Sequence, residues 1–144
     1  MSGSRRWIAV ATTVAAVLVL TPATANATPA YGVSAVDLYK TTVGGKDYVL
    51  RQITVQPGGS TGWHWHDGTL FAYVEHGTLT HTDADCVTTD TYTEGAAFVE
   101  PSGADHVHIG RNLGVTPLVL DVLYVDPVGS PYSEDAPDPG CGFQ

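Results

Sequence analysis

The feature that most constrains the fold of this 144-residue chain is a series of short β-type runs separated by turn-forming residues. No apolar stripe with the period of an α-helix is long enough to predict a helix. Strands this close in sequence can be joined only by tight turns, so they must pair largely antiparallel, in a sandwich or a barrel. His76-Gly77 and Gly44-Gly45 are typical of hairpin turns, because Gly adopts positive φ without a Cβ clash. The predicted strands are 33–39, 48–55, 62–66, 70–75, 78–82, 87–93, 96–99, 106–110 and 118–125.

Residues 1–27 have the pattern of a secretory signal peptide. Arg5 and Arg6 precede an apolar stretch over residues 7–20, and the run Ala-Asn-Ala at 25–27 is a small-residue cleavage site. The apolar stretch is shorter than the roughly 20 residues that a bilayer span requires. We therefore expect an exported, secreted protein that has no membrane attachment after cleavage.

The composition of the chain bears on its binding partners and on the redox state of its two cysteines. Six Lys and Arg against 15 Asp and Glu give a formal net charge of −9, the wrong sign for holding a phosphate backbone, so nucleic acid is excluded as a partner. Cys86 and Cys141 form an even pair, which predicts a disulfide outside the cell. That bridge would tie a Pro-rich acidic tail, residues 128–144, to a single β-barrel domain over residues 28–127. Its prolines predict a surface tail that does not pair as a strand.

Four of the six histidines form two pairs with i, i+2 spacing, His64/His66 and His106/His108. On a strand, this spacing places both imidazoles of a pair on the same face. Two such strands paired across a barrel would bring three or four ring nitrogens within reach of one ion. The sequence therefore predicts a site for a divalent transition metal (Zn, Fe, Mn, Cu or Ni).

The residues around the first pair resemble the first signature of the cupins, a family of small jelly-roll β-barrels. That signature is a Gly, five residues, His-x-His, three or four residues, a Glu, six residues and a Gly. It matches Gly58, His64, His66 and Gly77. Leu70 stands where the Glu is expected.

The second cupin signature is a Gly, five residues, Pro-x-Gly, two residues, His, three residues and Asn. It fits when two extra residues are allowed before the His. Without that insertion the His would be His106, but then Gly110 would occupy the Asn position. With the insertion, the matching positions are Gly95, Pro101, Gly103, His108 and Asn112.

The resemblance implies an antiparallel jelly-roll β-barrel whose metal is held by three His and one Glu. With Leu70 at the Glu position, the ligands left are His64, His66 and His108, and the site should be more positive and favour anionic substrates. This arrangement resembles the three-His iron site of the thiol dioxygenases in the superfamily, and equally a zinc site that activates water. Cupins often pair through barrel faces, so a homodimer is also expected.

Two functions follow from such a site. One is a metal-dependent enzyme, a dioxygenase, isomerase or hydrolase acting on a small anionic molecule; the other is a non-catalytic extracellular protein that binds a metal or small ligand. A second group able to move protons beside the metal would favour the enzyme, and His106 and His81 are the candidate catalytic residues. Strand alternation predicts an apolar pocket wall of Leu70, Ala72 and Val74. Possible partners for the ligand N–H groups are Tyr73, Glu75, Glu100 and Asp105.

Overall fold

A computed structural model describes residues 27–144 and confirms an all-β, antiparallel jelly-roll barrel. Residues 1–26 of the predicted signal peptide lie outside the described residues. Each of the nine predicted runs corresponds to a strand, and one further strand lies in the tail. The strands are β1 (Tyr31–Val43), β2 (Lys46–Ser60), β3 (His64–Trp65), β4 (Thr69–His76), β5 (Thr78–Asp83), β6 (Thr89–Thr93), β7 (Ala97–Glu100), β8 (His108–Arg111), β9 (Leu118–Pro127) and β10 (Glu134–Asp135).

The strands form two facing walls of one continuous sheet. The first wall has the order β1-β2-β9-β4-β7, and the second has the order β10-β3-β8-β5-β6. The far end of β2 joins them, where Ser60 pairs with Arg111 of β8. Gly44 and Gly45, both at positive φ, make the predicted tight turn between β1 and β2. This closure places the inward faces of β3, β5 and β8 opposite those of β4 and β7.

Strand alternation fills the barrel interior with apolar side chains. Along β4, buried residues alternate with exposed ones, so Leu70, Ala72 and Val74 point inward as the period of two predicts. Leu79 and His81 of β5 are likewise both buried. The buried members of this interior cluster are Val49, Val55, Leu70, Ala72, Val74, Leu79, Leu118, Leu120, Val122 and Tyr124.

The tail is part of the fold, and the prediction that it does not pair is wrong. Glu134 and Asp135 form β10, which pairs with Trp65 and His64 of β3. Ala136 is buried, and its N–H donates to the Trp63 carbonyl at 2.9 Å. The prolines of the tail flank this segment instead of interrupting it, so every N–H that the pairing needs is present.

The predicted disulfide joins Cys86 to Cys141 and fixes the end of the tail. Phe143 then packs on Trp63 in a second, smaller core outside the barrel, where Trp63 and Ile109 are fully buried. The ring of Phe143 also lies 3.7 Å from the Arg111 guanidinium carbon. Within the described residues no helix is long and apolar enough to cross a membrane.

Candidate metal centre

Three buried histidines converge inside the barrel. His64 of β3 pairs in register with His108 of β8, and His66 follows His64 on the same face. The ring centroids of His64 lie 4.8 Å from those of His66 and 4.4 Å from those of His108. One nitrogen from each of the three rings lies within 4.8 Å of the others, so the group is compatible with one metal ion.

Backbone carbonyl groups fix which nitrogen of each ring carries the proton. The Nδ1 atoms of His64, His66 and His108 lie 2.9, 2.8 and 2.9 Å from the carbonyl oxygens of Gly62, Tyr132 and His106, in that order. A carbonyl only accepts hydrogen bonds, so each Nδ1 donates and each Nε2 of a neutral ring presents a lone pair. This is how protein metal sites orient histidine ligands.

Glu100 supplies the carboxylate that the sequence lacks at position 70. Leu70 of β4 and Glu100 of β7 are direct partners in the antiparallel ladder, so both side chains face the barrel interior. The Glu100 Oε2 lies 3.0 Å from His66 Nε2 and 3.3 Å from His108 Nε2. The expectation of a more positive site that has lost its carboxylate is therefore wrong, because the acid has moved to the neighbouring strand.

Around Glu100, the lone pairs of two imidazole nitrogens face the lone pairs of the carboxylate. The Nε2 atoms of His66 and His108 are buried and have no hydrogen-bond partner, although a carboxylate oxygen lies beside each. Burial alone would raise the pKa of Glu100, but His108 and the other imidazoles hold it well below its ordinary value. Burial lowers the pKa of His64 to about 3, with His108 and His66 adding to the effect. A cation between these groups would satisfy both the imidazole lone pairs and the carboxylate.

A proton is the alternative occupant of part of this cluster. Burial would lower the pKa of His108, but the adjacent Glu100 carboxylate outweighs burial and raises it. One proton on His108 would compensate a single Nε2. It would leave the buried Nε2 of His66 with a lone pair directed at the same carboxylate, so the full donor set suits a divalent cation better than a proton.

His81 lies on the far side of Glu100 from His66. Its side chain is buried, its Nε2 is 3.4 Å from Glu100 Oε1, and its Nδ1 is 3.7 Å from Asp83 Oδ1. The His81 ring stacks on that of His108, with the centroids 4.7 Å apart. His81 is therefore not an exposed strand residue, and it lies within the immediate surroundings of the predicted metal ligands.

His106 lies beside His108 and His81. It is half-buried, with its ring centroid 5.0 Å from that of His108 and 6.2 Å from that of His81. Burial lowers its pKa, and the charge of His108 adds to the effect. His81, His106 and His108 make a second group of three nitrogens, and His108 is shared between the two groups. The carbonyl of His106, as described above, also orients His108.

Turn residues of the second signature hold this geometry. The N–H of Gly103 donates to the His66 carbonyl at 2.9 Å, which draws the loop after Glu100 towards β3. The Gly103 φ of 121° is accessible to glycine. The amide of Asn112 is buried and donates to the carbonyl groups of Val55 and Thr116. Asn112 therefore clips the loop after β8 to β2, which is a structural role.

Two cavities adjoin the histidines. The inner one, of about 50 Å³, has apolar walls that include Leu70, Ala72 and Leu79. The outer one, of about 320 Å³, is bounded on its other side by β1, β2 and the tail. His64, His66 and Tyr124 line both cavities, whereas His108 and Glu100 line the inner one alone. The remaining residues of the outer cavity are Ala30, Val33, Ala35, Arg51, Ile53, Thr61, Tyr132 and Ser133.

Only one of the four proposed partners of the ligand N–H groups reaches the site. Tyr73 and Glu75 alternate with the inward residues of β4 and face outward, and Asp105 is exposed in its loop. Carbonyl groups take the expected partner role instead, and Glu100 contacts the Nε2 atoms. Arg51 is a further cavity residue that the histidine pattern does not predict, although its alternation with Val49 and Ile53 on β2 indicates an inward position.

The comparisons agree with this architecture. The model of the cupin domain family matches residues 51–125. The chain belongs to the cupin family. No functionally curated protein matches the sequence.

Solved structures show the same fold at low sequence identity. The polyketide cyclase RemF from Streptomyces resistomycificus is 23% identical, with a TM-score of 0.61 over 83% of this chain and 87% of that one. A Klebsiella pneumoniae protein with a double-stranded β-helix domain is 19% identical, with a TM-score of 0.57 over 72% and 84% of the two chains. A cupin-2 domain protein from Rhodospirillum rubrum is 14% identical, with a TM-score of 0.58 over 74% and 66%. These likenesses bear on the fold alone.

Proposed function

We propose that this protein binds one divalent transition metal through His64, His66 and His108, with Glu100 as the fourth protein ligand. The observation that carries the proposal is the pair of buried Nε2 lone pairs that face a buried carboxylate without a hydrogen bond. Three imidazoles and one carboxylate suit Zn, Fe, Mn, Cu or Ni. Elemental analysis of the purified protein identifies which of these metals is bound.

The bound metal would supply a Lewis acid or redox centre beside the outer cavity. Each residue of the chain then has a separate role. The carbonyl groups of Gly62, Tyr132 and His106 orient the ligand imidazoles, and Glu100 lowers the net positive charge of the site. Leu70, Ala72 and Leu79 give the inner side of the cluster an apolar wall.

His81 favours an enzyme over a simple binding protein. It is a group able to accept or donate a proton, and it lies 3.4 Å from the Glu100 Oε1. A polyketide cyclase shares the fold, so a barrel of this kind can accommodate catalysis. We therefore propose a metal-dependent enzyme that acts on a small molecule, with the dioxygenase, isomerase and hydrolase classes as the reactions to test. The second candidate function is binding of a metal or small ligand without turnover. It is favoured if the wild-type protein and the His81 variants alike show no turnover in assays of these three reaction classes.

Export and self-association remain predictions from the sequence. We propose that the protein is exported and acts outside the cell, which is supported by the signal-peptide pattern and agrees with the disulfide. A homodimer is supported by an exposed apolar row of Leu123, Phe71 and Val99 on adjacent strands of the first wall.

Metal content after purification tests the proposed centre. The wild-type protein, purified without added metal, should contain about one equivalent of a transition metal by plasma mass spectrometry, and the double variant His64→Ala with His66→Ala should contain almost none. The matched control is His76→Ala, because His76 is exposed on β4 and pairs only with Glu94 at 3.0 Å. Circular dichroism should show the same sheet content in all three proteins. Intact metal stoichiometry in the folded double variant would remove this pair from the site.

A further inference from the structure

The side chain of Arg51 faces the interior of the barrel. Arg51 lies on β2 between the inward residues Val49 and Ile53, and its partner on β9 is the buried Val122. A guanidinium stays charged in a protein and carries five N–H donors, so burying it is costly unless those donors find partners. Packing against an apolar core therefore does not by itself favour an arginine at this position.

The chain itself satisfies only part of this guanidinium. The Nε of Arg51 lies 3.6 Å from Asp37 Oδ1, and Asp37 also accepts a hydrogen bond from the Tyr132 hydroxyl. The ring of Tyr132 lies 3.9 Å from the Arg51 Cζ, which fixes the plane of the guanidinium. The Nη1 atom, in contrast, is buried and has no hydrogen-bond partner. Arg51 is thus held in one orientation with a donor unpaired.

The unpaired donor belongs to a residue that lines the outer cavity, as His64 and His66 do. Among residues 27–144, Arg51 is the sole Lys or Arg that lines either cavity at the histidine cluster. The volume of about 320 Å³ has room for on the order of ten water-sized groups. Apolar side chains of Val33, Ala35 and Ile53 cover part of its wall.

We propose that Arg51 binds the carboxylate of a small organic acid whose other end lies at the metal site. The inference rests on the proposed metal centre for the position of that second end. A guanidinium donor pairs strongly with a carboxylate in a partly buried site. One cation, already shared in part with Asp37, matches a singly charged carboxylate better than a doubly charged phosphate. Arg51 would thus give the site a preference for anions. The reason is its positive charge, and not the absence of an acid at position 70.

The test uses unbranched dicarboxylates as probes, because they vary the distance between the two acid groups. Malonate, succinate and glutarate are titrated by calorimetry into the zinc-loaded and the metal-free full-length protein, with the matching diamides as neutral controls. Arg51→Gln should weaken the best-bound dicarboxylate by at least about tenfold, and Arg51→Lys should weaken it less because it keeps the charge. Lys46→Gln removes the same charge from the exposed start of the same strand, and should change the affinity less than about twofold.

The outcomes separate this inference from the metal proposal. Equal dicarboxylate affinity in folded Arg51→Gln and wild-type protein, or equal affinity for acids and diamides, would overturn the role of Arg51. Absence of binding of all five proposed metals, Zn, Fe, Mn, Cu and Ni, would contradict the metal centre instead. In that case, Arg51-dependent binding of dicarboxylates to the metal-free protein would still support the anion site. Circular dichroism and the melting temperature of each variant identify a loss of binding that is due to misfolding.

Discussion

Residues that are direct partners in an antiparallel ladder share a face, so either of them can deliver a side chain to the same point in a barrel. Leu70 and Glu100 are such partners. The first cupin signature expects an acid at position 70, and this chain has one at position 100. The carboxylate reaches the Nε2 atoms of His66 and His108 from one strand further along the wall.

Because positions 70 and 100 face the same point, we expect a Glu at position 70 to replace the carboxylate of Glu100. Glu100→Leu should weaken zinc binding by at least about 100-fold, because it removes the only carboxylate in contact with the Nε2 atoms among the described residues. Adding Leu70→Glu should recover most of that loss, since the two side chains are similar in volume and face the same interior. The affinities are measured by competition with a chromophoric chelator.

Glu75→Gln is the matched control for the loss of an acid, because Glu75 is exposed on β4. Its zinc affinity should equal that of the wild type. If Glu100→Leu binds zinc as tightly as the wild type, the carboxylate is not a ligand. If the double variant recovers nothing, positions 70 and 100 are not equivalent.

The sequence alone predicts the histidines as metal ligands and names Glu100 as one of four possible partners of their N–H groups, but it does not predict that Glu100 faces their Nε2 atoms, for a physical reason. The i, i+2 spacing is local, so strand alternation is enough to place His64 with His66 on one face. The pairing of Leu70 with Glu100 depends on the register between β4 and β7, which long-range packing sets. Arg51 shows an intermediate case, because its inward alternation with Val49 and Ile53 is visible in the sequence, whereas the cavity beside it is not.

Among the strands, the tail supports β3, which carries His64 and is followed directly by His66. β10 pairs with His64 and Trp65, and the carbonyl of Tyr132 accepts the hydrogen bond from His66 Nδ1. The prolines predict an unpaired surface segment, but Pro131 and Pro137 lie on either side of Glu134 and Asp135, which are free to pair. The tail therefore acts on the site through backbone groups that no side-chain pattern reveals.

Removing the disulfide should lower both the stability of the protein and its metal affinity. Cys86 and Cys141 are 55 residues apart. Without the cross-link, in the double variant Cys86→Ser with Cys141→Ser, the unfolded chain gains conformational entropy that lowers the free energy of unfolding by roughly 4 kcal/mol. Thermal unfolding should show a clearly lower melting temperature. Zinc affinity, measured well below that temperature, should fall by about tenfold because the Tyr132 carbonyl holds His66 less firmly.

The matched comparison is the oxidised wild type treated identically without reductant. A variant that melts earlier but keeps the wild-type zinc affinity would show that the cross-link acts on stability alone. A variant with lower affinity and an unchanged affinity for dicarboxylates would restrict the effect of the tail to the metal ligands.

In the molecule as a whole, the residue that follows the predicted cleavage site, Thr28, is part of the described fold. Thr28 is buried, and its hydroxyl oxygen accepts a hydrogen bond from the Trp63 N–H at 2.6 Å. Ala27 forms an isolated bridge with Pro137 of the tail. Cleavage after Ala27 would thus keep the contact between Thr28 and Trp63 and remove the bridge between Ala27 and Pro137.

Export of this kind predicts a specific mature product. Expressed with its own N-terminus in a secreting bacterium, the protein should accumulate in the medium with Thr28 as its first residue and with Cys86 bonded to Cys141. Intact mass spectrometry before and after reduction measures both properties, since reduction of one disulfide adds two hydrogens. A variant with Ala25→Asp and Ala27→Asp should remain uncleaved, because the cleavage site requires small residues. Recovery of the wild-type chain inside the cell, with residues 1–27 attached and both thiols free, would contradict export and leave the metal centre to be tested on its own.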